Sequence, residues 1–395
     1  MPSEISFLKT IGYLNIFLFF LYLIDPFSFG YIFGSFLIIN ILLNHRFFIK
    51  NIDQNFFLLI FFSIIYSIFY GFNLNLGTQF ILIYAFFPAF FYLIGKIVLD
   101  QRASHLQIFK FIFYSSLFFS LPPMISILIS ILNDGFVVLE RDVPMIWSGD
   151  KISATNMAAY FLLNMSIPAF LVAYFKKFSF YFKILLIITF ITSVICVLRL
   201  GSRTQLSIFF ITFIASLIYL VRRQTVKQNF ILFGVLFFLF NVFLSYVSFD
   251  KDSDIMSAFA GRMESKKYGA ATAGGRTERW AKSIINLWEK PLGWPVEEFG
   301  FSHNLWFDIA RVGGTLSFIL LLLFTIKNVF QIKKAIALVP KNILLNTFFL
   351  CYGLSFYLLF FVEPIFDGYF PVFVLYCFFL GVIAQYIINN KAIKD

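Results

Sequence analysis

Twelve runs of apolar residues, most near the length that crosses a bilayer, leave this chain few folds to choose from. They cover 7–24, 27–43, 56–72, 79–99, 108–132, 157–175, 180–198, 204–221, 230–249, 305–326, 343–361 and 369–388. A helix crosses the hydrocarbon in about 20 residues, and lipid offers no hydrogen bonds to an irregular backbone. The expected fold is therefore an all-α polytopic membrane protein with about 12 transmembrane helices. At 60% hydrophobic and 13% charged residues, a soluble domain is excluded. The first run follows a short head containing Lys9 and leads directly into others, so a retained span is expected and not a cleaved signal peptide. Pro88, Pro122, Pro123 and Pro168 fall inside runs and are read as kinks.

The net charge of +11 does not point to nucleic acid, because the basic residues sit in alternate connections. Arg46 and Lys50, Arg102, Lys176 and Lys177, Arg222, Arg223 and Lys227, and Lys327, Lys333, Lys334 and Lys341 all fall on one side if the N-terminus is cytoplasmic. That is the positive-inside pattern, and it places both termini in the cytoplasm with membrane lipids as the surroundings. Three regions follow. Residues 1–249 form an N-terminal bundle of about nine spans, 250–302 a large outer loop, and 303–395 a C-terminal group of about three spans. A second long outer loop, Asn133 to Thr155, contains Glu140-Arg141-Asp142. Arg141 stands there either as a glycan or phosphate contact or as part of a locally neutralised surface group.

The polar chemistry is densest between Gly275 and Gly314. Trp280, Ile284, Leu287 and Trp288 recur at helical spacing, which predicts a short amphipathic helix ending before Pro291. Arg276 and Arg279 open it. Guanidinium forks beside the free N–H groups of a helix start suit a phosphate or pyrophosphate, and an interfacial helix anchored by Arg and Trp is the competing reading. Arg199 and Arg203 flank a span end, where snorkelling to lipid phosphates competes with ligand binding. His303 enters the next span beside Asn304, which either orients the imidazole or caps the helix. Imidazole suits general-base work, whereas a lone histidine at a span end is commonly interfacial. Asp308 and Arg311, three apart, are expected to pair with each other.

No metal or other cofactor is expected. The three histidines are scattered, and Cys196, Cys351 and Cys377 lie in or at the ends of apolar runs without C-x-x-C spacing, as small buried hydrophobes. Asp252-Ser253-Asp254 spells D-x-D, yet it falls in an outer loop where nucleotide sugars are scarce. Asp25 before Pro26 reads as helix termination.

Three pieces in this order resemble the O-antigen polymerase and O-antigen ligase superfamily of bacterial integral-membrane glycosyltransferases. They are Leu200-Gly201-Ser202-Arg203 at a span mouth; Gly275-Arg276 with Trp280 and Lys290-Pro291-Leu292-Gly293 in the large loop; and His303-Asn304 with Gly313-Gly314. Glu363-Pro364-Ile365 resembles the family's C-terminal end. The resemblance covers roughly the second half of the chain. It implies a glycosyltransferase C type of fold in the bacterial inner membrane, with the large loop and active site facing the periplasm. It implies a metal-independent enzyme that takes a glycan from undecaprenyl pyrophosphate and passes it to a hydroxyl acceptor, with no nucleotide sugar.

By that resemblance Arg203 and Arg276 bind the pyrophosphate and His303 activates the acceptor, with Arg199, Arg279, Asn304 and Arg141 as supporting candidates. Inversion follows from a single displacement. The implied partners are an undecaprenyl-pyrophosphate-linked oligosaccharide, a glycan acceptor and a chain-length regulator. The sequence departs from the family pattern in the short stretch from Pro291 to His303, which favours a polymerase over a ligase acting on lipid A core, and at Ser317, where a further glycine is common. A flippase for lipid-linked oligosaccharide is the alternative of another class. It should carry charge midway through its spans, where no clear case is found.

Overall fold

Long apolar segments with few internal breakers become helices, and helices make up nearly all of the regular structure. The computed structural model describes residues 12–72, 74, 77–98, 104–136, 142–246 and 275–391. In chain order the helices are α1 (Tyr13–Ile24), α2 (Gly30–Leu43), α3 (His45–Asn51), α4 (Gln54–Gly71), α5 (Gln79–Val98), α6 (His105–Asp134), α7 (Ala154–Ala159) and α8 (Ile167–Tyr174). They continue as α9 (Phe180–Arg199), α10 (Arg203–Val221), α11 (Val226–Tyr246), α12 (Arg276–Glu289), α13 (Leu305–Leu338), α14 (Ile343–Val362) and α15 (Phe370–Lys391). Among the described residues, α4, α5, α6, α9, α10, α13, α14 and α15 are long and apolar enough to cross a membrane, eight in all. A ninth is formed if α2 and α3, bent by 89° at Asn44, count as one span. The chain is an all-α, multi-pass membrane protein.

One expected span is not a continuous helix. Across 157–175 the chain runs from α7 through a turn and a 3₁₀ segment, Asn164–Ser166, into α8. The cause is polar: Asn164 is buried and its amide donates to Ser120 Oγ at 2.8 Å and Ser193 Oγ at 3.0 Å. Pro168 therefore starts α8, where its missing N–H costs nothing, instead of kinking a span. The connection 133–155 also ends in a hairpin that the sequence reading does not foresee, β1 (Asp142–Pro144) antiparallel to β2 (Lys151–Ser153), with Val143 opposite Ile152.

Two compact units group the chain differently from sequence order. The first takes Met1–Phe119, Thr272–Pro340 and Phe356–Asp395. Its core is α5 packed against α15 and α4, with α13 packed in turn against α4 and α15. Gly95 and Gly381 let α5 and α15 approach to backbone contact, since a Cβ at either would overlap Phe378 O or Tyr92 O. Near the starts of the same two helices Tyr66, Tyr84, Phe366 and Phe373 interlock, two of the ring pairs edge to face and two tilted. At the N-terminal end of α4 the buried Lys96 ammonium meets Asp53 at 2.7 Å and the Asn51 carbonyl, while Tyr92 donates to the same carboxylate. The second unit takes Ser120–Ala271 and Lys341–Ser355. Met124, Ile127, Val143, Met157, Phe161, Met165 and Cys196 make up much of its core. Cys196, Cys351 and Cys377 are free thiols, all buried.

Candidate functional site

A broken helix builds the site. Within α13, Gly314 takes φ 69°, ψ 179°, which no side-chain-bearing residue adopts without strain, so the helix is interrupted one third of the way along. An intact helix would pair Thr315 N–H with the Arg311 carbonyl. Instead Thr315 N donates to Pro291 O at 2.8 Å, and Arg311 O accepts from Trp294 N at 2.9 Å. The segment before α13 thus satisfies both halves of the broken bond. Glycine is required on each side of this exchange, because a Cβ on Gly293 would strike Arg311 O and one on Gly314 would strike Pro291 O. Thr315 Oγ1 adds a bond to Leu287 O at 2.8 Å, tying the end of α12 to the same break.

The next layer fixes the turn carrying His303. Asp308, buried in the first turns of α13, accepts from Ser302 N at 2.7 Å and from Asn304 N at 3.1 Å. Those amides lie on either side of His303, which has left-handed backbone at φ 54°. Histidine is among the residue types that tolerate this region better than most, and the two flanking bonds hold it there. Asn304 is the N-cap of α13, its side chain accepting from Phe307 N at 3.3 Å, so capping is its observed role. Its amide nitrogen also donates to Phe361 O. From α12, Arg279 donates to Phe301 O, Trp280 Nε1 to Ser302 O at 2.9 Å, and Ser283 shares a bond with Ser302 Oγ at 2.7 Å. Arg279 is therefore engaged in positioning the turn.

Onto this frame the segment after α14 brings Glu363. Its side chain is 2% exposed, with Oε1 3.4 Å from Arg276 Nη2 and Oε2 3.8 Å from His303 Nδ1. Nδ1 is buried without a hydrogen-bond partner, while the His303 side chain as a whole remains about a third exposed. The exposure thus belongs to the rest of the ring. Arg276, the first residue of α12, is also partly exposed. Beneath them Arg311 does not pair with Asp308, as its spacing suggests; it donates to both oxygens of Asp367 at 3.1 and 3.2 Å. Asp308 is occupied by backbone amides, and the Arg311 guanidinium reaches the 363–369 segment. Burial raises the Asp367 carboxyl above its usual range, and the Arg311 charge draws it partly back.

The periodic stripe of α12 divides. Trp280 packs edge-on to Phe361, with ring centroids 5.0 Å apart, and Leu287 is half-buried, whereas Ile284 and Trp288 face outward. The buried side of the helix is centred on Ser283 and Asn286.

The remaining candidates lie in the second unit. Arg203 is the first residue of α10, half-buried, after Ser202, whose hydroxyl donates to Gln205. Arg199 ends α9 and is buried; its Nε donates to Gly135 O at 2.8 Å and its Nη2 to Ser130 Oγ at 3.3 Å. Those bonds join the ends of α9 and α6. Arg141, together with Asp252 and Asp254 of the D-x-D, lies outside the described residues. Among the described residues no cluster of three His, Cys, Asp or Glu side chains is placed to hold a metal ion.

Fold and site together define a polytopic α-helical membrane protein with a charged constellation built on one interrupted span. Comparison with known protein families gives no match, and comparison with curated proteins gives none either.

Proposed function

We propose that this chain is a membrane glycosyltransferase that moves a glycan from undecaprenyl pyrophosphate to a sugar hydroxyl of another lipid-linked repeat unit, as a surface-polysaccharide polymerase. The observation that carries the reading is the meeting of Arg276, His303 and Glu363, from three separate chain segments, around one buried carboxylate. Glu363 faces Nδ1 of the imidazole at 3.8 Å, and the reading gives the proton transfer to Nε2. A carboxylate in that place orients the ring and stabilises the imidazolium formed when it takes a proton.

In the proposed reaction the acceptor O–H proton passes to His303 and the oxygen attacks the anomeric carbon. The bond from that carbon to the pyrophosphate oxygen breaks, and its electron pair leaves with undecaprenyl pyrophosphate. Arg276, with Arg203 by resemblance, neutralises the leaving group through charge-assisted hydrogen bonds. One displacement inverts the anomeric centre. The reading includes twelve spans of the glycosyltransferase C type, both termini in the cytoplasm, and a site opening to the periplasm of the inner membrane.

The test is deletion of the gene in its host and restoration with wild type, Arg276→Ala or His303→Ala at matched membrane levels, with the surface glycan resolved on a gel. A polymerase leaves a single repeat on the acceptor in the deletion, and both variants fail to restore the ladder. Core alone, with long glycan retained on undecaprenyl pyrophosphate, identifies a ligase. A full ladder from both variants removes the catalytic assignment, and unchanged glycan in the deletion returns the transport reading.

A further inference from the structure

The outer surface of α12 carries an observation independent of any chemistry at His303. At 3.6 residues per turn its side chains fall into three sectors. Arg276, Arg279, Trp280, Ser283, Asn286 and Leu287 face the protein and are buried or half-buried. Glu278, Lys282 and Glu289 form a charged exposed sector. Ile284, Ile285 and Trp288 form a third sector, exposed and apolar, at 51%, 53% and 83% of their full surface. Leu292, just beyond the helix, extends it at 75% exposure.

A helix at a protein–water boundary turns its apolar residues inward, but α12 centres its buried side on Ser283 and Asn286 and, while Trp280 and Leu287 pack inward, presents Ile284, Ile285 and Trp288 outward. Leaving such side chains in water forgoes the favourable transfer of their apolar surface, so the arrangement is favourable only if the third sector meets a nonpolar medium.

Its position says which medium. The bonds from Thr315 to Leu287 O and Pro291 O hold the end of α12 against the break in α13. Leu316 and Ile319, the next outward-facing residues of that span, are themselves 53% and 45% exposed. Trp288 and Leu292 each follow directly on a residue bonded to Thr315, and Leu316 follows Thr315 itself. The exposed apolar sector of α12 is thus continuous with the lipid-facing side of a membrane span.

We propose that α12 is an interfacial helix, with Ile284, Ile285, Trp288 and Leu292 inserted among the lipids at the boundary of headgroups and acyl chains, and Glu278, Lys282 and Glu289 in water. Such a helix has a wide apolar face, a charged face and an aromatic residue at headgroup level. Its protein-facing side delivers Arg276 to Glu363, so the constellation sits at the depth where the headgroup of an amphiphilic substrate resides.

The test places one nitroxide at a time on the full-length chain in vesicles of phosphatidylethanolamine and phosphatidylglycerol. The native cysteines are buried, so the introduced thiols are the reactive ones. Ile284→Cys, Trp288→Cys and Leu292→Cys report the apolar sector, and Lys282→Cys and Glu289→Cys the charged one. Relaxation by oxygen, which partitions into hydrocarbon, is compared with relaxation by a water-soluble nickel chelate. The expected result is an oxygen-to-nickel ratio several-fold higher at 284, 288 and 292 than at 282 and 289. Equal ratios in the two sectors would overturn the proposal by placing α12 in water. Exclusion of both agents at 284, 288 and 292 would also overturn it, by showing a protein partner or a second copy on that face. Because the readout is depth and not activity, failure of the glycosyltransferase reading leaves this result unchanged.

Discussion

Glu363 Oε2 faces the buried Nδ1 of His303 at 3.8 Å, across 60 residues of chain. The same carboxylate meets Arg276 through its other oxygen, so one acid stands between the ring and the guanidinium. Its charge, more than its bulk, is expected to matter. Glu363→Gln keeps the shape and removes the counter-charge for an imidazolium, and it should lower the rate of glycan transfer by about 100-fold, the order assigned to positioned acid–base groups. Single-turnover transfer with purified protein and lipid-linked donor measures this. A rate within twofold of wild type would remove Glu363 from the mechanism.

Asp308 acts on His303 through backbone. Replacing it with Asn keeps an acceptor for one of the two amides and turns an NH₂ group towards the other, which costs about 1–3 kcal/mol. Asp308→Asn should lower the melting temperature in detergent and also speed hydrogen exchange at Ser302 and Asn304. If the amides stay protected, the clamp is not what holds the turn.

Gly314 and Gly275 both have positive φ, but only Gly314 has a carbonyl where a side chain would go. Gly314→Ala should cost more than Gly275→Ala, by at least the 1–3 kcal/mol typical of a residue forced into a sparsely populated region. Paired thermal melts decide it, and equal losses would mean the loop yields freely.

The Glu298 carboxyl is held below its usual range by hydrogen bonds from Lys290 and Asn286, the first at 2.6 Å. A lowered folded-state value means the docked loop binds fewer protons than the released one, so the stabilisation is present above the ordinary carboxyl range and lost as pH falls through the folded value. Protection from hydrogen exchange over residues 290–300, corrected for the intrinsic pH dependence, should be constant above about pH 5 and fall as the pH drops below about 4.3 in the wild type. Glu298→Gln should show a smaller change, and identical profiles would refute the assignment.

Apolar run length revealed a helical chain that crosses the membrane several times, because bilayer thickness imposes it; eight of the described helices meet the length and hydropathy of a span. Capping chemistry revealed Asn304, because a short polar side chain before an apolar run has few other uses. Arg276 and His303 stood out as polar residues in a hydrocarbon-rich chain. Glu363 was visible only as part of a terminal motif, since nothing local ties residue 363 to residue 303. Arg311 and Asp308 satisfied a pairing rule yet took partners from elsewhere, because backbone amides and Asp367 were closer once the chain folded. The α12 stripe had the right period, but periodicity does not say which medium each side of a helix meets. Across 157–175 a run of suitable hydropathy hid a break, because one buried Asn in contact with two hydroxyls outweighs several apolar neighbours locally.

The exchanged hydrogen bonds at Gly314 bear on how the protein is made. A span that reaches the bilayer with Thr315 N–H and Arg311 C=O unpaired exposes polar backbone that lipid cannot satisfy. Their partners, Pro291 and Trp294, precede the span in the chain and so leave the ribosome first. The segment carrying Pro291 and Trp294 must therefore already be in place when α13 takes its bent form. Until that docking occurs, a straight helix is the more favourable state of the span. Membrane insertion and loop folding are thereby coupled in time, and the site around His303 is completed only at the end of biogenesis, when the chain after α14 brings in Glu363.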